Sequence, residues 1–142
     1  MADISHMIRI AAPVERVAKL VGTADGFTKW WAEDVTATPD GTVSLGFFNR
    51  QTVYVLKLLE SSANRIDWRC ESGQEWAGTD IRFDLTPDKA ATVLRFTHAN
   101  WRAATDYFTS CNTTWGELMF RIAADAEGRS RGPLFKRGAL GY

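Results

Sequence analysis

The chain has 142 residues with 45% hydrophobic and 24% charged side chains, enough apolar material for one compact domain with a real core. Seventeen basic residues balance seventeen acidic ones, which argues against broad electrostatic attraction to nucleic acid or to an anionic membrane. No apolar run is long enough to span a bilayer, and the N-terminus alternates where a leader would show an unbroken apolar stretch, so no membrane insertion and a cytoplasmic location are expected. Cys70 and Cys111 stand far apart without CxxC spacing and read as buried free thiols. Six Trp and eight Phe supply more large aromatic surface than a small core needs.

Residues 3–10 place Ile4, His6, Ile8 and Ile10 on one face against Ser5, Met7 and Arg9, the period-two pattern of a strand. Pro13 suits the opening of a helix that carries Val14, Val17, Ala18 and Val21 and stops at Gly22. A second short helical turn carries Phe27, Trp30 and Trp31, and adjacency predicts that only one of the two tryptophans faces inward. After the Asp40-Gly41 turn, strand composition recurs over 42–48, 51–60, 64–71, 76–86 and 91–98, an antiparallel meander with one buried face. Asp80, Arg82, Asp84, Arg69 and Arg95 fall in the phase of a solvated outer face. From 104 to 127 the pattern turns helical, with Phe108, Cys111, Trp115, Leu118, Met119, Ile122 and Ala126 on one stripe. Two regions result: a domain over 1–128 and a basic, Gly-rich tail over 129–142, expected to be extended or mobile, with Leu134 and Phe135 as its docking residues.

The segments MADISHMIRIAAPVERV, FTKWW, EWAGTDIRFDL, LRFTHANW and SCNTTWGELM resemble the START-like superfamily known as SRPBCC. Within it they are similar to the branch of the C-terminal domain of the activator of the heat-shock-protein-90 ATPase. The resemblance spans nearly the whole chain up to about residue 128. It implies an α+β helix-grip fold: a curved antiparallel sheet of about six strands wrapped on a long C-terminal helix, with two short helices after strand one. It also implies a cavity between sheet and helix, which relatives use for lipids, sterols, hormones, polyketides or aromatic compounds. Some relatives are enzymes, and the co-chaperone relatives act through protein contacts. The resemblance is to the activator's C-terminal domain and not to its separate N-terminal domain, which lowers the expectation that these residues stimulate a chaperone ATPase.

On this topology the first strand pairs with the last, which brings His6 and His98 together as inward-facing neighbours able to orient a polar ligand group or move a proton. The candidate ligand-binding residues are Trp30, Trp68, Phe83, Phe96, His98, His6, Trp101, Cys111, Asn112, Trp115 and Met119, with Trp31 and Phe120 as further aromatics for the cavity. No GxSxG elbow, HExxH, phosphate loop or carboxylate cluster is present, so no catalytic residue, metal or cofactor is assigned. The leading expectation is a binding protein for a small hydrophobic or aromatic molecule. Two alternatives stand beside it: an interaction module related to the chaperone co-activators, and a cyclase-like or lyase-like enzyme using a cavity histidine. A homodimer formed through an exposed sheet edge is compatible with each of them.

Overall fold

The computed structural model describes residues 1–140. Its elements follow the chain as β1 (Ala2–Ile10), α1 (Val14–Val21), α2 (Ala24–Trp30), β2 (Asp34–Ala37), β3 (Thr42–Phe47), β4 (Thr52–Ser61), β5 (Arg65–Cys70), β6 (Asp80–Asp88), β7 (Ala91–Trp101) and α3 (Asp106–Ala126). All strands join one antiparallel sheet in the order β1-β7-β6-β5-β4-β3-β2, curved around α3. This is the helix-grip arrangement. Among the described residues the sheet has seven strands rather than about six; the additional one, β2, has only four residues and little periodicity to betray it.

Pro13 sits at the N-cap of α1, and Gly22 closes it by donating its N–H to Ala18 O at 2.9 Å. Thr23 caps α2 by accepting from Gly26 N at 2.9 Å. Gly26 itself lies so close to the Lys19 and Leu20 carbonyls that a Cβ there would collide with backbone, which folds α2 tightly back on α1.

One segment departs from its sequence pattern. Residues 76–79 do not begin β6, which starts at Asp80; the stretch 71–79 is a loop held by Gly73 (φ 109°) and Gly78 (φ 87°). Gly78 N bonds Cys70 O at 2.8 Å and Ala77 N bonds Gly73 O at 3.2 Å, so the loop is internally tied. Thr105, the N-cap of α3, donates its hydroxyl to Glu75 at 2.6 Å and accepts from Phe108 N at 3.2 Å, which pins this loop to the start of the long helix.

The convex face of β5 and β6 is built from opposite charges directly across the register: Arg65 faces Asp84, Asp67 faces Arg82 and Arg69 faces Asp80. Arg65 bonds Asp84 at 2.6 Å, Arg82 lies 3.5 Å from Asp67, and Arg69 pairs with Asp80. This face is the outer one, but it is not simply solvated. Flanking arginine stems cover Asp67 and Asp80 almost completely, and burial raises the Asp67 carboxyl above its ordinary range, against the pull of Arg82.

Candidate functional site

The concave side is packed with rings. Trp31 stacks on Trp30 at 5.3 Å with 10° between planes and meets Trp115 of α3 at 5.1 Å. Both tryptophans are fully buried, contrary to the expectation that one would face out. Trp31 is the C-cap residue with φ −102° and ψ −69°, so its direction is not set by helical spacing. The tail also covers this corner: Leu134 N bonds Trp30 O at 3.2 Å, Phe135 N bonds Trp31 O at 3.0 Å, and Glu33 N bonds Phe135 O at 3.0 Å.

Between these elements lies a cavity of about 170 Å³. Its apolar wall is Trp31, Phe47, Trp76, Trp115, Leu118 and Phe135. Trp76 comes from the 71–79 loop and lies flat on Tyr54 at 3.9 Å, nearly parallel to Trp115 at 6.0 Å. Phe135 closes another side, edge-on to Phe47 at 4.8 Å and to Phe48 at 5.6 Å. Toward β4 and the first turns of α3 the lining becomes polar, with Thr52, Tyr54, Tyr107, Ser110, Cys111 and Thr114. The Tyr54 and Tyr107 hydroxyls bond each other across this side. No lining residue carries a charge at neutral pH: burial pushes the Cys111 thiol up to about 11, and burial together with the Tyr107 bond raises Tyr54.

His98 lies behind the cavity wall and is fully buried. Trp115 Nε1 donates to its Nδ1 at 3.1 Å, which fixes the proton of the neutral ring on Nε2; Nε2 then donates to Thr79 Oγ1 at 2.8 Å, and Thr79 donates to Trp76 O at 2.6 Å. Both ring nitrogens are committed in one chain of bonds. Desolvation drives the imidazole down to about 3, so it stays neutral at physiological pH. Its role is to brace Trp115 and the Trp76 loop.

Of the residues singled out from sequence, Trp31, Cys111 and Trp115 line the cavity. Trp30, Trp68, Phe83, Phe96, Trp101 and Met119 lie buried in the core around it and are absent from its lining. Trp30 and Trp68 spend their indole N–H groups on Leu20 O at 2.8 Å and Val21 O at 2.9 Å, which fastens α2 to α1 and β5 to α1. Asn112 and Phe120 are exposed on the outer side of α3. The β1/β7 register places His6 opposite Phe96 and His98 opposite Ile4, so the two histidines are diagonal instead of paired. His6 packs near Gly116 of α3, where a Cβ would lie 3.7 Å from its ring.

The lining residues that sequence reading passed over come from β3, β4, the 71–79 loop, α3 and the tail. Two signals were available: Gly73 and Gly78 bracket Trp76 as turn glycines bracket a loop, and Phe135 is a large aromatic set beside Leu134 among basic and small residues.

The strand order and the long C-terminal helix define the class by architecture: this chain has the START-like helix-grip fold. More particularly, it is similar to a solved protein from Colwellia psychrerythraea described as an Aha1 dimer, with 27% identity, a TM-score of 0.77, and coverage of 91% of this chain and 98% of that one. A START superfamily protein from Mycobacterium smegmatis aligns at 15% identity and TM-score 0.65 over 89% of this chain and 95% of its own. DynU16, from the dynemicin biosynthetic locus, aligns at 17% identity and TM-score 0.76 over 95% of this chain and 51% of its own. The latter two likenesses concern fold alone. No protein-family model and no curated protein matches the sequence. No described helix is long and apolar enough to cross a membrane.

Proposed function

We propose that this chain is a binding protein for a small, uncharged, planar aromatic molecule held in the cavity between β3, β4, the 71–79 loop, α3 and the tail. The observation that carries this reading is the lining: stacked and edge-on rings on one side, hydroxyls on the other, and no charged side chain anywhere. Flat rings gain from stacking and edge-to-face contact with Trp31, Trp76, Trp115 and Phe135, while a hydroxyl or carbonyl on the ligand meets the Tyr54–Tyr107 side. A carboxylate or ammonium group would lose its hydration without finding a counter-ion. The small volume suits one or two fused rings. Binding is favoured over catalysis because the buried histidine has both nitrogens occupied and the cavity thiol is held protonated, leaving no poised acid, base or nucleophile at the wall.

The test is a titration of the tryptophan fluorescence with 2-naphthol, naphthalene and 2-naphthoate. The neutral ligands are expected to bind with the carboxylate weaker by about tenfold or more. Phe135→Ala, which opens one wall, should weaken both neutral ligands together. Absence of binding by all three would sink the proposal.

A further inference from the structure

The two edges of the sheet are treated differently. The β2 edge is four residues long and is flanked by the tail, through the Ala32–Phe135 bridge and the Glu33 N to Phe135 O bond. The β1 edge is nine residues long and contains no Pro, Gly or Lys; among the described residues β7 is its one strand neighbour, with a register irregularity between Ala2 and Ile4. Charges on an exposed edge ordinarily discourage pairing, and β1 carries two, Asp3 and Arg9, so their sign pattern decides whether a second copy is repelled. Here its convex face carries Met7, 67% exposed, between Ser5 and Arg9, and beside it Phe120 of α3 is 64% exposed in a shallow groove shared with Ile8 and Arg9.

The charges on this edge are spaced for self-recognition. Antiparallel pairing places residues of the same face opposite each other, so two copies of β1 meet only in registers that keep like parity together. In the register centred on His6, Asp3 falls opposite Arg9 of the second copy, twice by symmetry, and Ser5 falls opposite Met7. Centred on Ser5 instead, Asp3 meets Met7; centred on Met7, Arg9 meets Ser5. Only the first register pairs opposite charges. Within the chain, Asp3 accepts from Asn100 N through Oδ1 at 2.9 Å and Arg9 donates to Asp88 through Nε at 3.1 Å. Asp3 Oδ2 and the terminal guanidinium nitrogens of Arg9 take no part in these two bonds.

We propose that the chain self-associates through the free edge of β1, two copies pairing antiparallel about His6 so that Asp3 faces Arg9 of the other copy and the two sheets become continuous. Met7 is covered by the pairing, and Phe120 extends the contact along the α3 side.

Sedimentation velocity on the full chain over a range of concentrations tests this. The chain is expected to sediment as a dimer, with a dissociation constant that rises with salt. Asp3→Arg and Arg9→Asp each set two like-charge pairs across the edge and are expected to raise that constant by about tenfold or more, whereas the double variant Asp3→Arg/Arg9→Asp restores it. Met7→Lys, at an exposed position, is expected to yield monomer while leaving the melting temperature of the monomer intact. A wild-type monomer at all concentrations overturns the proposal. So does a dimer that ignores the single reversals and Met7→Lys, or one that the double reversal fails to restore.

Discussion

Trp115→Ala is expected to remove about 3–5 kcal/mol of folding stability, the usual cost of emptying a buried tryptophan site. Trp115 is buried at the point where the α3 stripe meets the sheet and the loop: its ring lies 4.3 Å from Phe96, 5.1 Å from Trp31 and 6.0 Å from Trp76. Its indole N–H also satisfies His98 Nδ1 at 3.1 Å. Trp115→Phe separates the two contributions, since it keeps most of the apolar burial but leaves that nitrogen unpaired, for a loss of about 1–3 kcal/mol. Denaturant melts of the three proteins check both figures. Against a typical total of about 5–15 kcal/mol the alanine variant sits near the limit of folding. A loss below about 1 kcal/mol would mean that the wall of rings relaxes freely around the gap, and that the cavity is not a rigid, preformed one.

Stability should also fall with acid in a defined window. An ordinary unfolded imidazole takes its proton near pH 6.5, whereas burial holds the folded His98 down to about 3. Above pH 6.5 both states are neutral and His98 adds no slope. Between about 6.5 and 3 the unfolded chain gains a proton the folded one refuses, so stability is lost as pH drops, at up to about 1.4 kcal/mol per pH unit. Below about 3 the slope from this residue vanishes. The cause is desolvation of the fully buried ring; the Trp115 N–H on Nδ1 points the same way, since a protonated Nδ1 would set two donors against each other. Melts across this range for the wild type and His98→Gln check the sign, because subtracting the variant's slope removes the carboxylates common to both. Asp67 works the other way, since its raised carboxyl pKa favours the fold at low pH. Equal slopes in the two proteins would contradict the neutral, fully bonded histidine.

The architecture was legible because its signals are periodic: alternation marks β1, β5 and β6, and the i, i+3, i+4 stripe from Phe108 to Ala126 marks α3. The cavity was less legible, because periodicity says which residues face inward without saying where inward packing fails. Phe83, Phe96 and Trp68 face inward and are simply packed, while the void opens beside Phe47, Tyr54 and Phe135. Three irregular positions decide that outcome. Trp76 reads as strand until Gly73 and Gly78 are seen to bend the chain around it. Trp31 escapes the helical rule by standing at the cap. Phe135 reads as a docking residue of the tail, but only the backbone bonds to Trp31 and Glu33 show that it docks against the cavity rings. His98 was correctly placed on the inward face, but its partners come from a loop and a helix far away in sequence, so its saturation could not be read from spacing.

The central claim is occupancy of the cavity by an aromatic guest, and native mass spectrometry of the protein gently purified from its own host tests it most directly. A noncovalent adduct with the mass of a small, neutral one- or two-ring compound, lost on denaturation and absent from Phe135→Ala, is the predicted result. A bare chain in both proteins, or an adduct indifferent to Phe135, would contradict it.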